Sequence, residues 1–449
     1  MNKLKVNVHD WKRLDRRQRE NLCRRVEASI PAEVMDTVRE VIDAVEREGD
    51  AAVIRYSEQF DRVNLSGFPL RVSEQQLENA ESMLHPDLKE AIRFAAGNVR
   101  RFHERQRPGC LELCEVGPGV FAGERHTPIA AAGLYVPRGR GSFPSVMYMQ
   151  AIPASIAGVG RIVAVSPPDR EGAVDPACLY TAAICGVREV YRVGGIQGIA
   201  ALALGTESIA GVDKILGPGS VYVSAAKRAL SDRVDVGMPA GPSEAIVLAD
   251  ESADPKRLAL DLITEAEHGS DSSAFLVTPS RSVAEAVQRL LPGVVERLEP
   301  SRAKFVSDVL AGYGGIVVTE TLEQAVDFVN RYAPEHLQIA CREPLSLLGS
   351  IENAGEILLG QDTAFSMANY AAGCNNVIPT GGWARTTSPL SVRDFLKSSS
   401  VVYVASGGVS ILKDAVIRLA DYEGFSAHAL ALRGRAGNDG GTQRQNPPG

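Results

Sequence analysis

Two short stretches bring an acid and an imidazole together. Glu265-Ala266-Glu267-His268 ends a helix-like run, LALDLITEAEH. Three residues apart, Glu265 and His268 share one face of a helix. A carboxylate oxygen and an imidazole nitrogen on one face are half of a zinc site, although the same spacing is common on ordinary helices. Glu335-His336 lies in RYAPEHLQI, where Pro334 restricts the backbone just before an apolar strand start. Such a pair can divide proton-transfer work, one member activating water and the other taking protons, or can be a solvated loop pair. His428 follows Glu423 by five residues in DYEGFSAHALALR, and Gly424 lies between them, so the two need not share a helix face. His9, His85, His103 and His126 sit in charged or Pro-flanked sequence without ligand spacing. Cys110 and Cys114 are four apart with no second Cys or His pair nearby, which gives no metal site.

These side chains need elements to position them. From Pro31, Val34, Val38, Ile42 and Val45 recur at three- and four-residue steps, which predicts a helix stopped by Gly49, with Asp50 capping the next. Ser73 and Gln76 form a capping-box pattern that opens a second helical block to about Arg105. After Pro108 the texture becomes short apolar runs alternating with short helices: strands near 129–136, 161–168, 189–195 and 213–219, then 245–250, 273–278, 314–319, 336–341 and 356–360. That alternation predicts βαβ units and parallel α/β sheets. The turns VGGIQG (193–198) and LGPGS (216–220) follow strands, where glycines let a backbone approach a ligand. Neither GxGxxG nor a P-loop is present. Past Thr380 comes a smaller piece ending in a helix, and the Gly/Pro/polar tail AGNDGGTQRQNPPG is expected to be disordered.

Composition excludes several classes. The chain has 449 residues, 45% hydrophobic and 23% charged, with a net charge of −7. A mildly acidic chain is a poor nucleic-acid ligand. No apolar stretch approaches the roughly 20 residues of a membrane span. The start, MNKLKVNVHDWKRLDRRQRE, is charged and lacks the apolar core of a secretory signal. Seven cysteines, an odd count, point to free thiols in a reducing cytoplasm.

Together the motifs resemble the histidinol dehydrogenase family from about Val34 to Arg433. The blocks that carry the resemblance are LYVPRGRGSFPSVMYMQAIPASIAGV, VGGIQGIAALALGTE, VDKILGPGSVYVSAAKR, MPAGPSEAIVLAD, AEHGSDS, NRYAPEHLQI and IPTGGWARTTSPLSVRDFLKSSSVVYV. The resemblance implies two NAD-linked oxidations, from L-histidinol through the aldehyde to L-histidine. It also implies one Zn2+ per subunit and a homodimer whose active sites are shared. Glu335 would activate water and His336 would be the general base. Ser243 and Glu423 would contact substrate, Glu423 from the partner subunit, and Tyr135 and Gln197 would hold NAD. Glu265, His268, Asn369 and His428 would ligate zinc and lie against the substrate.

This chain departs from the family pattern at several of these positions. The family has Gln at 265 and Asp at 369, so one amide and one carboxylate have traded places and the ligand set keeps its charge. A substrate-side histidine is Asn376, an NAD-contacting Asn is Ser220, and a turn glycine is Arg138, whose cation could meet a pyrophosphate or a substrate anion. These changes leave open a paralogue acting on another small amino alcohol or anionic polyol, or a member that binds ligand or partner without catalysis. The fold expected is α/β, with two incomplete Rossmann-like parallel sheets and small terminal segments exchanged in a dimer. The expected boundaries are an N-terminal segment 1–25, a first domain of 26–134 plus 248–380, an NAD-side domain 135–247, and a C-terminal segment 381–449.

Overall fold

The structure, a computed structural model, describes residues 4–23, 30–138, 141–239, 241–405 and 407–436. The expected disorder of the tail concerns residues 437–449, which lie outside the described residues. The chain divides into two compact units, residues 1–107 with 129–395, and residues 108–128 with 396–449.

The larger unit carries two parallel sheets. The first has the spatial order Val8–Asp10, Gly314–Val318, Ser273–Thr278, Glu244–Ala249, His336–Ala340, Glu356–Leu359. The second has the order Glu189–Tyr191, Arg161–Val165, Ala131–Tyr135, Lys214–Leu216. Leaving aside the short N-terminal edge strand, each sheet places its first strand in chain order between its second and its fourth. That is the Rossmann-type winding, with a topological switch beside the first strand.

Alternation along the strands explains the helices on both faces of the larger sheet. Ala245, Val247 and Ala249 belong to one core cluster, while Ile246 and Leu248 belong to another. Successive side chains point to opposite faces, so a strand apolar at every position must be covered on both. Helices Pro255–Thr264, Arg281–Val295, Pro300–Ala311 and Phe365–Tyr370 cover the first face, and Leu322–Tyr332 covers the second.

The boundaries drawn from the sequence differ from this arrangement. Helix Ala32–Glu48 packs on helices Gly195–Leu204 and Val221–Ala229 and shares a core cluster with Tyr135, Val163 and Ile215 of the four-stranded sheet, not with 248–380. Its Val34, Val38, Val41, Ala44 and Val45 form an apolar stripe buried in that core cluster. Strand Ala131–Tyr135 belongs to the same sheet, and residues 381–395 belong to the larger unit. Gly49 ends the helix at φ +55°, as expected, but Asp50 is the first residue of the next helix rather than its cap. The Asp50 carboxylate accepts from the backbone N–H and hydroxyl of Ser208. Ser73 and Gln76 form the reciprocal capping box.

The smaller unit contains an antiparallel sheet that the sequence reading did not anticipate: Leu396–Val404, Val120–Pro128 and Leu111–Gly117 in spatial order. Helices Gly408–Tyr422 and Ser426–Ala436 follow, broken at Gly424 with φ +80°. Among the described residues no helix is long and apolar enough to cross a membrane.

Candidate active site

Register in the larger sheet assembles the dyad. His336 is the first residue of its strand, opposite Ala245 on one side and Glu356 on the other. Leu337 and Ile339 face the cluster with Phe328 and Tyr332, so His336 and Gln338 point to the opposite face. There Gln338 Nε2 donates to Asp261 Oδ2 at 2.9 Å, which pins helix Pro255–Thr264 over the strand. The end of that helix delivers Glu265, which is fully buried. Helix Phe365–Tyr370 packs on the same face, with the Phe365 ring 5.9 Å from the His336 ring.

Four carboxylates and an imidazole then meet at the amino edge of the sheet. His336 Nε2 lies 3.9 Å from Glu265 Oε2 and 3.9 Å from Glu335 Oε1. Its Nδ1 lies 2.9 Å from Glu356 Oε2. Glu335 Oε2 accepts from the Glu244 backbone N–H at 3.0 Å, and Glu244 Oε1 accepts from the Gly381 N–H at 3.0 Å. Gly355 permits the close strand approach: a Cβ there would stand 2.7 Å from the Glu335 carbonyl oxygen. All of Glu244, Glu265, Glu335, His336 and Glu356 are buried.

Burial and mutual charge set the protonation preferences. Burial pushes the Glu335 carboxyl up to about 8, against the pull of His336, with Glu265 adding to the rise. Burial pushes His336 down, but Glu265, Glu335 and Glu356 together raise it to about 10. Burial likewise pushes Glu265 up, yet His336, His268 and the Asn369 hydrogen bond hold it below the ordinary carboxylate value. Opposite charges favour the ionised forms of both partners, which is why acid and imidazole move apart from their burial-only positions.

The residues expected to ligate zinc divide by location. Glu265 Oε1 accepts from Asn369 Nδ2 at 2.6 Å, so the two positions at which the resemblance implies an exchange of amide and carboxylate touch each other. Glu265 Oε2 lies 3.4 Å from His268 Nδ1, which also meets Ser243 Oγ at 2.8 Å. His268 is half exposed. Asn376 Nδ2 donates to the Asn369 carbonyl at 2.7 Å and so braces the helix that carries Asn369. Glu423 and His428 belong to the smaller unit, Glu423 at a helix end and His428 with its ring 5.2 Å from Phe425.

Glu265 Oε2 is buried and has no hydrogen-bond partner among the described residues. A buried carboxylate oxygen left unpaired costs on the order of 1–3 kcal/mol or more, and a cation beside it removes that cost. Glu265, His268 and Asn369 supply an anionic oxygen, an imidazole and an amide, a donor set that suits Zn2+. Among the described residues no three His, Cys, Asp or Glu side chains form a group that could hold a metal ion. Asn369 is outside those types, and His428 stands in the other unit.

The residues expected at the cofactor lie at the carboxyl edge of the four-stranded sheet. Tyr135 Oη accepts from the Gly195 N–H at 3.2 Å, and Gln197 Nε2 donates to Asp61 Oδ2 at 2.9 Å. Both side chains are buried and hold the 194–195 turn from beneath, and Gln197 Oε1 has no partner among the described residues. Ser220 Oγ caps helix Val221–Ala229 through the Val223 N–H. Gly217, at φ +113°, brings its loop against the strand: a Cβ would stand 2.1 Å from the Tyr135 carbonyl oxygen. Buried Lys227 donates to the Gly217 carbonyl at 3.2 Å. Two helix N-termini, at 195 and 221, face this edge beside the topological switch, an arrangement that fits a dinucleotide's phosphates. Arg138 is engaged locally, donating to the Ala173 carbonyl at 3.1 Å and standing 3.7 Å from Asp169.

Glu356, Glu244 and Asp61 were absent from the sequence reading of the site. Strand register and side-chain packing bring them in, and no local spacing announces them. Of the remaining histidines, His9 lies in the edge strand Val8–Asp10, His85 caps helix Pro86–Glu104, buried His103 meets the Val99 carbonyl and Asn375, and His126 meets Ser398. Cys110 and Cys114 are exposed free thiols.

Comparison with known proteins agrees with this frame. Residues 24–436 match the family model described as histidinol dehydrogenase. A Synechocystis sp. protein named histidinol dehydrogenase is 52% identical over 418 residues, covering 93% of this chain and 96% of the relative. A Mesorhizobium japonicum protein named histidinol dehydrogenase homolog 2 is 50% identical, covering 95% of this chain and 97% of the relative. The crystal structure of histidinol dehydrogenase from Elizabethkingia anophelis superposes with a TM-score of 0.91 at 33% identity, covering 97% of this chain and 98% of that one. With a full-length family match, close relatives and a shared fold, the chain belongs to the histidinol dehydrogenase family.

Proposed function

We propose that the protein is an NAD-dependent, zinc-containing alcohol dehydrogenase that oxidises L-histidinol through the aldehyde to L-histidine. The observation that carries this reading is the contact of the Glu335–His336 pair with Glu265, itself bonded to Asn369 and adjacent to His268. A bound Zn2+ would be held by Glu265, His268, Asn369 and His428 and would fix the substrate's polar groups, while NAD would accept hydride at each oxidation. His336 Nε2 takes the alcohol proton in the first oxidation. Glu335 then draws a proton from the water that attacks the aldehyde, and His336 serves again in the second oxidation. Ser243, next to His268, orients the substrate. Glu423 and His428 complete the site from the partner subunit of a homodimer.

A second reading is favoured by one observation. Asn376, where the family has a substrate-side histidine, spends its amide on the Asn369 carbonyl. Without that imidazole the pocket loses a group matched to histidinol, which suits a different small amino alcohol or an anionic polyol. NADH formation by the purified protein on L-histidinol and on a panel of amino alcohols and polyols separates the two. Turnover of L-histidinol above the rest of the panel supports the first reading, and preference for another alcohol supports the second. No NADH from any of them defeats both.

A further inference from the structure

We propose that Glu356 is a positioning residue for His336, fixing which ring nitrogen carries hydrogen and which faces the reacting alcohol. The inference rests on the alcohol dehydrogenase reading above. His336 and Glu356 are register partners on adjacent parallel strands, with Glu356 N–H donating to the Glu335 carbonyl at 2.8 Å. Their side chains therefore project on the same face as near neighbours. Glu356 Oε2 lies 2.9 Å from His336 Nδ1, and the other carboxylate oxygen accepts the Cys374 thiol at 2.8 Å. Both residues are buried. A carboxylate offers only acceptors, so Nδ1 carries the hydrogen in both ring states, and Nε2 is the nitrogen that gains or loses a proton and has a free lone pair when the ring is neutral. Nε2 is the nitrogen that points toward Glu335 and Glu265.

The consequence is an acid–imidazole arrangement of the kind that serves hydrolytic triads, built here from strand register. When the alcohol O–H bond breaks, its proton goes to Nε2. NAD, when bound, would take the hydride from the carbinol carbon as it becomes the aldehyde carbon, and the ring becomes an imidazolium held at Nδ1 by Glu356. Cys374 locks the far oxygen, so the carboxylate does not rotate away. Sequence spacing gives no hint of this, because 20 residues separate the two partners.

The test is steady-state NADH formation by the holoenzyme with L-histidinol, or with whichever alcohol of the panel the wild type oxidises. Glu356→Gln keeps the shape but can present its amide to Nδ1 and invert the ring. It is expected to lower kcat on the order of 10- to 100-fold while both KM values stay put. A structural role would also lower kcat, so the double variant decides. In the His336→Asn background Glu356→Gln should cost nothing further, since the group it acts through is gone. Glu356→Asp, which retains a carboxylate, should keep more kcat than Glu356→Gln and serves if the latter folds poorly. Wild-type kcat in Glu356→Gln overturns the proposal. So does an equal further loss in the His336→Asn background. A wild type that oxidises no alcohol overturns the functional reading and this proposal with it.

Discussion

At the scale of single residues, the contact of Glu265 with Asn369, where the resemblance implies that amide and carboxylate have exchanged, is the clearest feature of the site. The structure puts the exchanged pair in direct contact, 2.6 Å apart, so each change is made in the presence of the other. One carboxylate and one amide remain, and the carboxylate's second oxygen stands 3.4 and 3.9 Å from two imidazole nitrogens but accepts no hydrogen bond among the described residues. Glu265→Gln alone leaves no anionic oxygen among Glu265, His268 and Asn369, and zinc content measured on the purified variant should fall. Adding Asn369→Asp to it should restore zinc; zinc retained in the single variant, or lost in the pair, would refute the charge argument. For the dyad, His336→Asn should lower kcat about 10²- to 10⁴-fold with zinc content unchanged, and full turnover in that variant would remove His336 as the base. Glu335, His336, Glu265 and His268 were legible in the sequence because their partners are near neighbours in the chain. Glu356 was not, since its distance from His336 is set by register between strands, which no local pattern encodes.

At the scale of elements, the parallel strands were legible because they are continuous apolar runs bounded by Pro and Gly, as strands buried on both faces must be. The antiparallel strands of the smaller unit were missed. Leu111–Gly117 is exposed along nearly its whole length, so no apolar face marks it. Val8–Asp10 was missed as a three-residue edge strand inside a charged start. One element also carries a pH dependence. Asp61 ends a π-helical turn at 57–61 and is partly buried beneath the Gln197 amide. Burial raises its carboxyl from 3.8 to about 6, with the Gln197 hydrogen bond opposing. An acid raised by folding favours its protonated form in the folded chain, so stability is fully present below about pH 4 and is lost as pH rises through 6. Asp61→Asn removes the charge and keeps an acceptor for Gln197. Thermal unfolding should show the variant more stable than wild type at pH 8, by up to about 3 kcal/mol, and no more stable at pH 4. The same difference at both pH values would contradict the assignment.

At the scale of the molecule, sequence texture located two parallel sheets but not their boundaries. Helix Ala32–Glu48 lies far in sequence from the four-stranded sheet whose core cluster it joins, and only tertiary packing reveals which core that is. The smaller unit exposes Val402, Tyr403, Leu419, Tyr422 and Leu430, with Tyr422 at 92%. Several exposed large apolar side chains on a small unit suit burial by a second copy. If Glu423 and His428 act on the partner's dyad, two inactive variants should complement each other. Unfolding and refolding His336→Asn together with His428→Ala should regain activity that neither has alone; a mixed dimer that stays inactive would place the two residues in one chain's own site. The most direct test of the whole account is NADH formation with L-histidinol and the alcohol panel, on protein of known zinc content, before and after chelation. The account predicts turnover that disappears with the metal and returns when Zn2+ is restored. Unchanged turnover in metal-free protein would contradict it.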